Sequence, residues 1–400
     1  MPHVDAPAKQ GPSRRGILFG GAAAGLGAIV ALGIDSLSSA AAPAGGSEPL
    51  HGQAVIPFYG SHQAGITTEP QAHASYVALN LRDGLDHESL QRLLRLLSDD
   101  AARLTQGQAA LADTEPELGT VPARLTVTFG FGPKLMELAG SSAGESQPLP
   151  EFKIDELEER WNDGDLLLHI ASDDPLSVAH AQRMMLKDAR RFASVKWVQS
   201  GFRRSRGSEA SGTTMRNLFG QVDGTVNPVP GSEDFNSVVW NADGSTTMVI
   251  RRIRMNVDTW DELDRSGREF SVGRTLGNGA PTTGSKEHDE PDFEATNALG
   301  FTVIAAHAHI RRARSENTNE RIFRRGYNYD EPPTGSEISN SGLIFVSYQK
   351  SVAEQYTPMQ QRLSDLDALN QWTTPIGSAV FLIPQGCAEG GFIGETLFAA

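Results

Sequence analysis

The chain has 400 residues, 39% of them hydrophobic, enough for a sizeable core and about two domains of ordinary size. Its formal net charge is −14, and arginine and lysine cluster only briefly, at residues 203–206 and 311–314. That balance argues against nucleic acid or an anionic membrane as the main partner, and the apolar content argues against disorder.

Residues 1–42 read as an export segment. A polar stretch up to Ser13 is followed by Arg14-Arg15, by an alanine-rich apolar run over 16–33 containing six glycines, and by Ala40-Ala41-Ala42, small residues of the kind a signal peptidase accepts. Paired arginines before a weakly hydrophobic run resemble a twin-arginine signal, the address of proteins that fold before crossing a membrane. The expected partner is therefore the twin-arginine translocase, and the expected destination is extracellular, cell-envelope or periplasmic. The single cysteine, Cys387, allows no intrachain disulfide; placed after a strand-like run, in Pro384-Gln385-Gly386, it reads as structural.

Residues 57–70 form a glycine-rich loop carrying His62-Gln63, where a histidine beside a glutamine reads as a hydrogen-bonding loop residue rather than a ligand. A strand is expected over 75–82. Leu90, Leu93, Leu94, Leu97 and Leu104 predict a helix over 87–106, strands follow over 124–131 and 166–171, a helix over 175–192 and a strand over 196–202. His180 and Met184, four apart on one helix face, read as packing. The order β-α-β-β-α-β is that of a ferredoxin-like unit. After an Arg/Ser/Gly-rich linker over 203–214 the same order recurs: a strand over 247–256, a helix capped by Asp258 and running through Trp260 and Leu263, strands over 320–327 and 342–349, a helix over 357–370 and a last strand over 378–384. Residues 273–299 are long for a connection and read as either functional or mobile. The expected organisation is an export segment over 1–42, one ferredoxin-like half over 43–212 and a second over 213–400, an α+β fold.

The chain turns on Gly220-Gln221-Val222-Asp223-Gly224-Thr225-Val226-Asn227-Pro228. A carboxylate between two glycines sits in a tight turn whose backbone approaches a ligand closely. This Gly-x-x-Asp-Gly run resembles the hallmark of the dye-decolorising peroxidases, a haem family. Three further segments are similar to that family in its order. They are Gly60-Ser61-His62-Gln63-Ala64-Gly65-Ile66, Ala306-His307-Ala308-His309-Ile310-Arg311, and Ile322-Phe323-Arg324-Arg325-Gly326-Tyr327 with Ser341-Gly342-Leu343-Ile344-Phe345 behind it.

The resemblance implies two ferredoxin-like halves around a haem b pocket, in a dimeric α/β-barrel arrangement. It maps the axial iron ligand onto His309, with His307 as the alternative: two residues apart in an extended stretch, both would face one way. It maps the distal acid onto Asp223, flanked by Gly220 and Gly224 at the cofactor, the distal arginine onto Arg324, with Arg325 as the alternative, and the pocket wall onto Leu343 and Phe345. Asp365 or Asp367 would hold the other nitrogen of the proximal histidine. The implied activity is reduction of hydrogen peroxide, through a ferryl intermediate, with oxidation of dyes, phenols or metal ions. A carboxylate base titrates near ~3.9 and an imidazole near ~6.5, so acidic pH is expected to favour it. Trp197, Trp240, Trp260, Tyr327, Tyr329 and Tyr348 are the candidate electron relays to bulky donors. The rival readings are a haem-binding iron-uptake protein of deferrochelatase type and a copper-partnered maturation role; the oligomeric state stays open.

Overall fold

The computed structural model describes residues 50–398; the export segment expected over 1–42 lies outside the described residues. The first half runs β1 (His73–Leu81), α1 (His87–Thr105), β2 (Thr126–Phe131), α2 (Pro133–Leu138), β3 (Leu166–Ser172), α3 (Pro175–Ala189) and β4 (Ala193–Phe202). The second runs α4 (Glu233–Val239), β5 (Thr246–Met255), α5 (Val257–Asp261), α6 (Arg265–Val272), α7 (His309–Ala313), β6 (Phe323–Arg324), β7 (Tyr327–Glu331), β8 (Asn340–Gln349), α8 (Thr357–Leu366) and β9 (Thr373–Ile383).

Each half is a ferredoxin-like antiparallel sheet, β2-β3-β1-β4 and β9-β5-β8-β7. The sheets meet edge to edge through two single residue pairs, Phe131 with Leu382 and Phe202 with Asn328, and the ring closes into a barrel. Both faces of β2 and β3 are covered, so every residue of these two strands is buried, whereas β4 leaves Val195 and Phe202 exposed. Alternate residues go opposite ways: Val77, Leu79 and Leu81 pack outward against α1 and α3, while Ala74, Tyr76 and Ala78 fill the barrel with Leu167, Trp197, Ile344, Tyr348 and Phe381. Gln63 stitches one seam, donating to the carbonyls of Phe129 at 3.1 Å and Pro384 at 2.9 Å while accepting from the Phe129 amide at 2.8 Å.

Helices α1 and α3 start where their caps dictate: Asp86 accepts from the Ser89 amide at 2.8 Å and Asp174 from Ser177 at 2.9 Å. His180 and Met184 are buried, His180 on Asp113 at 2.9 Å. Cys387 is buried too, and burial pushes its thiol up to about 11.

Four expectations need correction. Asp258 is not the cap of α5; Asn256 is, accepting from Thr259 at 3.1 Å, and Asp258 instead binds Ile338 and Ser339. The helix also stops at Asp261, and Asp264 caps a separate α6 at Gly267, 2.7 Å away. The strand expected over 320–327 lies further along, as β6 and β7, which keep one continuous register on β8 and are interrupted only where Arg203 takes the Gly326 carbonyl at 2.9 Å. The helix expected over 357–370 begins in a π-turn over Val352–Tyr356 and ends at Leu366, because Asp367 is extended and caps a new turn at Leu369.

Between α1 and α3 lies a carboxyl pair. Asp100 is fully buried, and Oδ2 of both Asp100 and Asp188 lacks any donor, which a proton shared between them supplies. Burial, then the hydrogen bond to Asp100 and its charge, hold Asp188 up at about 8. The unfolded chain releases this proton near ~3.9, so the native state loses stability as pH climbs from there toward 8. Asp188→Asn should therefore raise the thermal unfolding midpoint, with a gain that grows between about pH 5 and about pH 8. A gain that is flat across this range in calorimetry counts against the shared proton.

Candidate active site

Asp223 closes a narrow hairpin. Its amide donates to the Met215 carbonyl at 2.8 Å, and a bridge joins Arg216 to Val222. Gly220 turns this hairpin at φ 77° and Gly224 leaves it at φ 133°, conformations that strain other residues. Nothing lies within 4 Å of a Cβ built on Gly220, so the dihedral rather than crowding demands glycine there. Inside the turn, Asn217 accepts from the amides of Phe219 and Gln221 and donates to Asp223 Oδ2 at 3.3 Å. Glu287 accepts from the hydroxyls of Thr214 at 2.6 Å and Thr225 at 3.0 Å, on either side of the acid, and Arg274 holds the Glu287 carbonyl at 2.8 Å. The long connection, read from the sequence as either functional or mobile, supplies Arg274 and Glu287 to brace the Asp223 turn.

Arg324 comes to the acid from β6. Its Nη1 donates to Asp223 Oδ1 at 2.8 Å. Its backbone is gripped by Asn227, which accepts from the Arg324 amide at 3.0 Å and donates to the Arg324 carbonyl at 2.7 Å, the pair of bonds a further strand would make. Arg325, the alternative, points to the other face of the strand. It is fully buried and binds the Thr68 carbonyl and, at 2.6 Å, Gln71.

His309 opens α7 directly after Ala308, whose backbone is extended at φ −64° and ψ 136°. The change to helical backbone at residue 309 separates the two histidines that an extended stretch would have pointed one way. His307 packs edge-on against Phe270 at 5.5 Å; His309 Nδ1 donates to Asp367 Oδ2 at 2.6 Å. Asp365 is not that partner, being held by Lys153 at 3.0 Å. With the proton on Nδ1, Nε2 of His309 keeps its lone pair. Burial pushes this imidazole toward its neutral form, yet the charge and hydrogen bond of Asp367 outweigh burial and leave its pKa above the ordinary value.

Asp223 and Arg324 both act electrostatically on the His309 ring, and the three side chains retain 21%, 28% and 29% of their accessible surface although they lie within the fold. Leu343 and Phe345 from β8 pack with Phe219, Val272, Met215 and Ile310 in one apolar cluster, which includes chain neighbours of both Asp223 and His309. The sequence motifs located the acid, the arginine and the histidine, but not Asn217, Glu287 or Arg274. The Asn-Pro after the acid was the one signal that pointed to Asn227.

Family models described as Dyp-type peroxidase, N-terminal and C-terminal, match residues 63–203 and 214–388. The chain belongs to the Dyp-type peroxidase family. It is 32% identical to the dye-decolorizing peroxidase of Thermobifida fusca, over 97% of this chain and 98% of that one. It is also 33% identical to a deferrochelatase of Shigella sonnei, over 99% of each. Among solved structures, a DyP-type peroxidase from Cellulomonas bogoriensis matches with a TM-score of 0.84 at 50% identity, covering 88% of this chain and 99% of that one. An oxyferrous complex of DtpA from Streptomyces lividans matches with the same TM-score at 37% identity, covering 88% of this chain and all of the other. As a member of this family the chain is a peroxidase.

The two bonds from Asn227 make a graded prediction. Asn227→Ala should cost about 1–3 kcal/mol in urea unfolding and Asn227→Asp, which keeps only the acceptor, less than that. Equal stability of both variants and the parent would mean that the strap on Arg324 does not exist.

Proposed function

We propose that this peroxidase carries haem b, that His309 is the axial iron ligand, and that Asp223 and Arg324 act on hydrogen peroxide while dyes, phenols or other donors supply the electrons. The observation that carries this reading is an imidazole held through Nδ1 by Asp367, electrostatically coupled to a paired carboxylate and guanidinium and set beside one apolar cluster. The residues fit the cofactor. Among the described residues no group of three or more His, Cys, Asp or Glu could hold a bare metal ion, whereas one imidazole among apolar side chains suits a metal that brings its own planar ligand. The oxyferrous relative from Streptomyces lividans supports the same choice. Leu343, Phe345, Gly220 and Gly224 would border the macrocycle. Bound there, haem supplies an iron that binds peroxide and accepts the oxidising equivalents.

Asp367 keeps Nδ1 of His309 protonated and raises the donor strength of Nε2. Asp223 takes a proton from the inner oxygen of peroxide and returns it to the outer one. Arg324, charged at every working pH, donates to the outer oxygen as negative charge develops on it. Asn217 holds Asp223 Oδ2 in place, so the acid keeps one oxygen on the arginine and one on the amide.

Mixing the haem-loaded protein with one equivalent of peroxide in a stopped-flow spectrometer tests this. Asp223→Asn and Arg324→Leu should each slow the spectral change by about 100-fold or more, and His309→Ala should alter the haem spectrum before any peroxide is added. An unaltered spectrum in His309→Ala removes it as the ligand. The deferrochelatase relatives favour a second reading, iron release from intact haem; appearance of fluorescent metal-free porphyrin without peroxide would favour that one.

Export by the twin-arginine route is part of the proposal, supported by Arg14-Arg15 ahead of its apolar run. Replacing both by lysine should leave the full-length precursor in the cytoplasm, read by fractionation. Continued export of the lysine variant would point to a different route.

A further inference from the structure

The barrel interior holds a group of polar side chains that the peroxide chemistry above does not use. Tyr76 of β1 lies directly opposite both His169 on β3 and Gln199 on β4, so the three side chains leave the sheet on one face, the inner one. The His169 ring is stacked on Tyr76 at 4.4 Å with the planes 1° apart, and Tyr327 from β7 stands edge-on to both, at 6.4 Å and 6.2 Å. Tyr348 from β8 fills the same interior. All five residues are at most 1% exposed, yet the three phenol oxygens, both ring nitrogens of His169 and both amide atoms of Gln199 have no hydrogen-bond partner among the described residues. Native interiors seldom leave such atoms unmatched.

Arg325 brings a full charge into this group. It is fully buried, and it donates to the Thr68 carbonyl and, at 2.6 Å, to Gln71. Its Nε has no partner among the described residues, and no carboxylate among them pairs with it. The charge acts on Tyr76, Tyr348 and His169 alike, so the guanidinium lies among them. Burial pushes both of these phenols up, and burial together with the Arg325 charge pushes the imidazole down. The hydroxyls therefore keep their hydrogens, and His169 is neutral with one N–H to donate. What faces inward is a set of donors around one positive charge that lacks a counter-charge, an unfavourable state for a buried ion.

We propose that the barrel encloses one monatomic, monovalent anion of the halide class, held by Arg325 Nε and the Tyr76 and Tyr348 hydroxyls, with Gln199 and His169 completing its shell. One guanidinium calls for one negative charge. The donors arrive from β1, β3, β4, β8 and the junction of β6 with β7, and a spherical ion accepts from every direction, whereas a carboxylate or phosphate would press its extra oxygens onto Ala78, Leu167 and Phe381 of the same interior. Arg203, half-buried with its guanidinium 5.0 Å over the Tyr327 ring, carries a second positive charge between this interior and solvent, and that charge also acts on Tyr76. It marks the side from which an anion enters. The proposal does not depend on the haem reading.

Crystals of the haem-loaded protein grown in sodium bromide and measured at the bromine absorption edge test it. An anomalous peak is expected inside the barrel, in contact with Arg325 Nε and the two hydroxyls. In solution, chloride titrated against gluconate at constant ionic strength should raise the thermal unfolding midpoint, because an ion that binds only the folded state stabilises it. Tyr348→Phe keeps the ring without the donor, and the rise should set in at about tenfold higher chloride in that variant. Density inside the barrel without anomalous signal means water and overturns the proposal, as does a bromide peak confined to the surface or to the haem. A rise that sets in at the same chloride concentration in both proteins overturns it too; should Tyr348→Phe not fold, the crystal decides alone.

Discussion

One hydrogen bond orients the His309 ring: Nδ1 to Asp367 Oδ2, at 2.6 Å. It determines which nitrogen of the neutral ring is free, at a place where burial alone would lower the affinity of the imidazole for a second proton. The same bond explains the break in the helix after α8. Asp367 has to be extended so that one carboxylate oxygen caps Leu369 at 3.0 Å while the other holds the histidine. With only five residues, α7 cannot persist by its own hydrogen bonds. It is held from outside, by Asp367, by the Ala368 amide on the His307 carbonyl at 2.9 Å, and by Arg312 on the Arg362 carbonyl at 3.1 Å.

The distal side is built by a different device. Asp223 belongs to a loop, and loops that carry chemistry need a rigid frame. Here the frame is the strand formed by β6 and β7, and the fastening is made at the level of the backbone, where Asn227 satisfies both the amide and the carbonyl of Arg324. Acid and arginine are thereby fixed to one another twice, once through their side chains and once through the main chain. Glu287 and Asn217 complete the arrangement from the far connection and from within the hairpin.

The sequence was most informative where periodicity was strongest. The five leucines of α1 and the apolar runs along β1, β3 and β8 follow directly from burial of one helix face and two sheet faces. Ends were less legible because capping is decided by one side chain: Asn256 and Asp258 are both good caps, and the loop over Ile338 and Ser339 claims the second. Barrel closure left no local pattern, since among the described residues strand pairing joins the two sheets only at Phe131 with Leu382 and Phe202 with Asn328. At the site, motif likeness reached Asp223, Arg324 and His309. Asn217, Arg274 and Glu287 act from isolated positions in loops, where neither period nor motif marks them.

The loop motif around His62-Gln63 shows how adjacent residues divide their work. Gln63, 3% exposed, spends its whole amide on the seam between β2 and the end of β9, and this leaves His62 on the outer side, against Trp240. Arg324 and Arg325 divide theirs in the same way. Arg325 is driven inside the barrel, where Thr68 and Gln71 receive its guanidinium and no carboxylate among the described residues pairs with it. A buried charge so dependent on fixed acceptors tolerates little displacement. Strand alternation then leaves Arg324 one direction, outward to Asp223. Arg324 is thus aimed from behind, by the neighbour whose guanidinium is fixed inside the barrel.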